Sequence, residues 1–295
     1  MPTPPFPIDE EPHSYLLSDL AWPDVAAQLE RDDTVLIPFG STEQHGYHLP
    51  LGTDTYNCTQ ITERAAAKAK VLYTPPLWTG YAPHHMRKPN EGTGTITVRP
   101  STLCAVLYDI AKSLIYHGAS RLIFVNGHAS NNKVTDPLLR TLRYETNALI
   151  VNYSPWGERY LGIVDDLMEG PPEETPGWHA GELETSEVMA GYPQTVVTSR
   201  MRPETAHSPS WLPKAFEKND TNPGLAFKGF EYFTAPMEHW QMSDSGLVGN
   251  PLRATPEKGD QAIQRYADYL VEAIAELRTV PVEVTQRDWP ERASW

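Results

Sequence analysis

The apolar positions fall into short continuous runs separated by amphipathic stretches. Residues 34–39, 71–73, 121–125 and 148–153 are too short and too uniformly apolar for surface helices, which predicts strands buried on both faces. Between them, 100–117 places Leu103, Val106, Leu107, Ile110, Leu114 and Ile115 at helical spacing and stops at Gly118. An Ala-rich stretch from Asp54 to about Lys70, a stretch over 134–145 and a short one over 23–30 with Pro at its first turn read as further helices. Asp54 stands where a helix cap is expected. The last helix starts at Pro256 behind Thr255 and carries Ile263, Tyr266, Ala267, Leu270, Val271, Ile274 and Leu277 on one face. Strands alternating with helices predict an α/β fold, a three-layer α/β/α sandwich with a mainly parallel sheet.

Elsewhere the pattern is irregular. Residues 1–13 form a Pro-rich arm, 93–98 a short strand or ordered turn, and 165–177 an acidic, Pro-rich excursion. A helix is expected from about 182 to Gly191. Residues 205–250 are rich in aromatics and turn residues and read as a long loop segment, a lid or an oligomer contact, within one domain spanning 1–295.

Composition narrows the function. The 295 residues suffice for a full core. The 28 prolines occur beside Trp, Tyr and apolar residues, so they imply ordered loops rather than disorder. A formal net charge of −14 without a Lys/Arg block disfavours a nucleic-acid backbone or an anionic membrane surface as partner. Cys58 and Cys104 lie in separate helical patterns and read as buried free thiols. No basic-then-apolar leader and no run approaching the ~20 apolar residues of a membrane span is visible, so a cytoplasmic protein is expected.

The candidate chemistry follows the strands. The loop after the first strand carries Glu43, His45 and Asp54, and the loop after the third carries Asn126-Gly127-His128. Imidazole nitrogens and carboxylate oxygens suit zinc, manganese or iron. In open α/β sheets the carboxyl ends of the strands line the site, so these loops are expected to converge. Gly127 permits a sharp turn that aims His128 inward. His179 and Glu182, three apart at a helix start, share a face. One shared carboxylate with two further ligands on each side is an arrangement for two-metal hydrolysis. His84 and His85 lie on a loop suited to rim a pocket, with His85 a candidate substrate contact. Tyr153, Trp156 and Trp178 could wall a flat ring.

Three stretches then carry a resemblance: residues 40–54 (Gly-Ser-Thr-Glu-Gln-His-Gly through Leu-Pro-Leu-Gly-Thr-Asp), Asn126-Gly127-His128, and His179-Ala180-Gly181-Glu182-Leu183-Glu184-Thr185-Ser186. Gly94-Thr95-Ile96, Gly249-Asn250-Pro251 and 254–259 add lesser motifs, in the same order. Together they resemble the creatininase (creatinine amidohydrolase) family from about residue 34 to 277. The resemblance implies a dinuclear metal hydrolase with two divalent ions per chain (zinc, with manganese or iron as alternatives), often assembled as a homohexamer. It implies that Asp54 bridges, Glu43 and His128 complete one site, and His45 with another carboxylate the other. Creatininase itself has Gly-His-Tyr-Glu-Asn after the third strand, with that Glu as a ligand; this chain has Gly127-His128-Ala129-Ser130-Asn131. Ser130 cannot replace a carboxylate, so Glu182 is the expected fifth ligand and the chain a member other than creatininase itself. His179 is the implied acid–base, with Glu184 orienting it. The expected reaction is attack of metal-activated hydroxide on a small cyclic amide or a formamide. The alternatives are a deformylase of a formylamino-pyrimidine nucleotide precursor, for which Arg87 and Lys88 are the nearest phosphate contacts, and a non-catalytic metal-binding assembly protein.

Overall fold

Four short strands lie parallel in the spatial order β2-β1-β3-β4: β1 (Thr34–Phe39), β2 (Leu72–Tyr73), β3 (Arg121–Asn126) and β4 (Leu149–Tyr153). The computed structural model describes residues 11–86, 92–155, 162–169, 179–217 and 224–294. β1 pairs with β3 over its full length, from Thr34 opposite Arg121 to Phe39 opposite Asn126. Pro38 is accommodated inside β1 because β2 pairs only with Val35 and Leu36, so its missing N–H breaks no ladder bond to that neighbour.

The alternation of side chains divides the core into two layers. Val35, Ile37, Phe39, Leu122 and Phe124 face α1 (Trp22–Arg31), α3 (Pro100–His117) and α4 (Asn132–Thr146). Leu36, Ile123 and Val125 face α2 (Thr53–Ala69) and α6 (Pro256–Arg278), with Leu183 of α5 (Glu182–Gly191) in the same cluster. The fold is therefore the expected α/β/α sandwich with a parallel sheet. Thr255 caps α6 as expected, its Oγ1 accepting from the Lys258 N–H at 3.2 Å.

Three local expectations change. The N-cap of α2 is Gly52 with no side-chain cap, so Asp54 stands inside the first turn and its carboxylate turns to two histidines instead. Residues 93–98 make only isolated bridges, Ile96 to Thr42 and Thr97 to Gly80. The 205–250 segment is not all loop: β5 (Phe216–Glu217), β6 (Gly224–Phe227) and β7 (Phe230–Thr234) form an antiparallel sheet, followed by a 3-10 turn, His239–Gln241. Period-two alternation is too short there to separate from a run of aromatics. No described helix is long and apolar enough to cross a membrane.

Candidate metal centre

The carboxyl ends of β1 and β3 sit side by side, and their loops meet the first turn of α2. Gly127 has a reason other than a sharp turn: a Cβ there would collide with the backbone of Asp54 and reach Cys58. The missing side chain lets the β3 loop lie against the helix start, which brings His128 beside Asp54. The partial positive charge at the N-terminus of α2 favours a carboxylate in that turn.

Asp54 stands between two imidazoles. Its Oδ1 is 3.2 Å from His45 Nε2 and its Oδ2 is 3.2 Å from His128 Nδ1. Each side is completed by another acid: Glu43 Oε2 lies 3.3 Å from His128 Nε2, and Glu184 Oε2 lies 3.8 Å from His45 Nε2. Two donor groups result, Glu43–Asp54–His128 and His45–Asp54–Glu184, sharing one carboxylate. Backbone carbonyls orient the rings. His45 Nδ1 is 3.1 Å from the Glu43 oxygen, which leaves Nε2 for the centre; His128 Nε2 is 3.1 Å from the Tyr81 oxygen, which leaves Nδ1. Glu43 Oε2, His45 Nε2 and Asp54 Oδ2 are buried and find no hydrogen-bond geometry among the described residues despite these short approaches. Buried polar atoms are rarely left so, and oxygen and nitrogen donors converging on common points fit divalent cations.

The electrostatics agree. Burial raises Glu43 to about 8 and Glu184 to about 7. Burial opposes charge on the two rings, but the carboxylates outweigh it: Asp54 foremost raises His45 to about 10, and Glu43 foremost raises His128 to about 9. Burial likewise opposes charge on Asp54, yet His45 and His128 hold it down at about 2. Without cations the cluster retains protons that metal would displace.

Glu182 is placed elsewhere. Its carboxylate pairs with Lys258 Nζ at 2.6 Å and accepts from the Glu169 N–H, and the acid that completes the second His/carboxylate group is Glu184. On the first turn of α5 the two acids point to different sides, and Glu184 is turned to the centre by the Ala180 N–H, which donates to its Oε2 at 2.5 Å. Ala180 adopts φ +56°, a left-handed conformation uncommon for a residue with a side chain. His48 Nε2 is 2.9 Å from Thr185 Oγ1 and braces the same helix start.

His179 stacks on His45, ring centroids 4.2 Å apart. Its Nε2–H donates to the Gln44 carbonyl at 2.7 Å and its Nδ1 faces Glu43 at 3.9 Å. Burial, then the neighbouring His45, holds it well below the usual imidazole range. His85 is drawn inward instead of rimming a pocket: its Nε2 is 3.3 Å from Glu43 Oε1. Tyr153 does not wall the site; its ring packs on the α6 side and its hydroxyl donates to the Tyr266 carbonyl at 3.0 Å. Trp156, Trp178, Arg87 and Lys88 lie outside the described residues.

Two further residues surround the donors, Gln44 from the 40–54 stretch and His239, which lies in none of the quoted motifs. His239, buried on the 3-10 turn after β7, brings Nδ1 to 3.0 Å from His85 Nδ1. Gln44 Nε2 lies 2.9 Å from His239, 3.2 Å from His85 and 3.4 Å from His179. This three-histidine group could also hold a metal by type and spacing. The Gln44 amide nitrogen already occupies its middle, with Oε1 held by the Gly46 N–H. Gly246 makes room for that amide, since a Cβ there would overlap it. The capping pair Glu238 and Gln241 around His239 was the available sequence signal.

A parallel α/β sandwich whose strand-end loops bring a His/carboxylate cluster together belongs to the class of α/β proteins with a site of metal-ligating groups at the carboxyl edge of the sheet. A family model described as Creatininase: Creatinine amidohydrolase matches residues 18–274, and the chain belongs to that family. It is 28% identical over 280 residues to the 3-dehydro-scyllo-inosose hydrolase of Thermotoga maritima, covering 91% of this chain and 85% of that protein. It is also 28% identical over 275 residues to the creatinine amidohydrolase of Pseudomonas putida (89% and 97%), and over 251 residues to a mycofactocin precursor peptide peptidase of Mycobacterium ulcerans (82% and 84%). Even similarity to three hydrolases of different substrates marks a member other than creatininase itself. The solved creatinine amidohydrolase (creatininase) superposes with TM-score 0.71 at 25% identity over 92% of this chain and all of the other. Related creatininase structures include a manganese form (TM-score 0.68, 26% identity, 90% of this chain and all of the other) and a Zn-Zn variant (0.68, 26%, 90% and 99%).

Proposed function

We propose that this protein is a metal-dependent amidohydrolase that holds two divalent cations, zinc or manganese, and cleaves a C–N bond of a cyclic or linear amide. The observation that carries this reading is Asp54, whose two oxygens face two different imidazoles, each backed by its own carboxylate. Glu43, Asp54 and His128 would hold one cation, and His45, Asp54 and Glu184 would hold the other. Bound there, the pair supplies the Lewis acidity that lowers the pKa of water towards neutrality and polarises the scissile carbonyl. The remaining work falls to the chain. Gln44 fixes the His179 tautomer through its carbonyl, leaving Nδ1 to take a proton and pass it to the departing nitrogen, an otherwise very poor leaving group. His85 and His239, tied through Gln44, hold Glu43 and His179 in register. The non-catalytic assembly reading is weaker, because a closed structural site has no use for a buried imidazole beside its donors.

The test is hydrolysis of a panel of lactams, formamides and linear amides before and after chelation. Activity lost on chelation and restored by zinc or manganese supports the reading. Activity indifferent to chelation, in protein shown to be metal-free, contradicts it.

A further inference from the structure

One loop reaches both ends of the second donor group. It carries His45 and, three residues on, His48, which is 1% exposed and lies against the start of α5. The Val197 N–H fixes the loop there by donating to the His48 carbonyl at 2.9 Å. Leu49 beside it packs with Ala180, Val188 and Leu247 in a small apolar cluster.

The hydrogen bonds from His48 run in one direction. Burial, then the neighbouring His45, holds its ring at about 4, so the imidazole is neutral and has one N–H to give. The Thr185 hydroxyl has a single proton and donates it to the Ala180 carbonyl at 3.3 Å. Its 2.9 Å contact with His48 is then an accepted bond, which places the imidazole proton on Nε2. Nδ1, buried and without a partner among the described residues, is the bare nitrogen. The relay ends on a donor. Ala180 is held on both sides, its carbonyl by Thr185 and its N–H by Glu184 Oε2 at 2.5 Å. Its φ of +56° is left-handed and needs such restraint. His179 before it is already tied to Val248 in both directions, at 3.2 and 2.8 Å, so Ala180 is the joint that decides where Glu184 points. Glu43, by contrast, meets His85 and His128 directly.

We propose that His48 is a positioning residue for the second cation alone: through Thr185 and Ala180 it fixes Glu184, and so sets the affinity of the His45–Asp54–Glu184 group without changing that of Glu43–Asp54–His128. This inference rests on the two-cation reading, which the wild-type titration tests separately.

Zinc is titrated into the metal-stripped full chain against a competing chelator, for wild type, His48→Leu, His48→Gln and Thr185→Val, with circular dichroism to follow folding. Wild type should show two sites. His48→Leu and Thr185→Val should each weaken one site by about 10–100-fold, the scale for residues that orient ligands, and leave the other within about threefold. His48→Gln should restore the wild-type curve, because its amide nitrogen can donate where Nε2 did. In a Glu184→Gln background, His48→Leu should not move the one remaining site. Equal weakening of both sites, an effect of His48→Leu that persists in Glu184→Gln, or failure of both His48→Leu and Thr185→Val to fold marks a general brace and overturns the inference. Two unchanged sites in His48→Leu overturn it as well. A wild type that binds fewer than two ions contradicts the two-cation reading, and the inference with it.

Discussion

The parallel sheet with its loops and the 205–250 excursion contribute to one site in opposite ways. Strands β1 and β3 are buried nearly throughout, and every candidate donor but Glu184 leaves one of their ends or the helix start packed against them. The excursion includes β7, exposed along its length, with Phe230, Tyr232 and Phe233 turned outward, yet it carries His239 inward to Gln44 and His85. The difference teaches that the donors are held by burial of a continuous core, whereas the roof over them is held by a polar knot around Gln44. Loss of one donor should therefore remove cations, and loss of the roof should leave cations bound but misplace the chemistry.

The largest expected effect comes from the shared carboxylate. Asp54→Asn should take bound metal from two ions per chain to near none and abolish turnover, read by elemental analysis and assay. Next, α5 separates two acids that the sequence places two residues apart. Glu184→Gln should lose one cation and most activity. Glu182→Gln should keep both cations and cost about 2 kcal/mol of stability, because a charged hydrogen bond to Lys258 is lost while Glu169 still pairs with that lysine. If Glu182→Gln is the variant that loses metal, the placement of Glu184 is wrong. His239→Ala sharpens the comparison from the other side: roughly 10–100-fold lower activity with metal retained is expected, the scale for a residue that orients ligands without being one.

The smallest effect is on pH dependence, and only in stripped protein. Glu43 and Glu184 are raised above the ordinary carboxylate value, to about 8 and about 7, by burial. His45 and His128, whose carboxylate neighbours outweigh burial, are raised to about 10 and about 9. A raised pKa stabilises below the unfolded value and is lost as pH rises through the folded one. The metal-free protein should thus lose stability progressively from about pH 5 to 10, while the opposite contribution of Asp54 vanishes only below about pH 4. Cation loading should flatten that slope and release protons. Thermal melts across pH, with and without zinc, check it.

Much of the site was legible because its residues follow continuous apolar runs. Glu43, His45 and His128 leave strands whose buried character is unmistakable, and topology alone brings strand ends together. Choosing between Glu182 and Glu184 was not possible from spacing. Both fit a helix start, and what separates them is Lys258 from a helix some seventy residues away and the left-handed turn at Ala180. Tyr153 misled because an aromatic at a strand end serves a core as well as a ligand. His239 has long-range partners and no periodic signature, so only the Glu238–Gln241 capping pair marks its turn in the sequence. Gly127 reads from the sequence as a turn residue, and the structure adds a close approach to the Asp54 backbone that the sequence does not show.

The most direct test of the two-cation centre is the metal content of purified protein loaded with zinc or manganese and freed of excess, measured by elemental mass spectrometry against protein concentration. The account predicts two ions per chain. A single ion at saturation, or none retained, would contradict it.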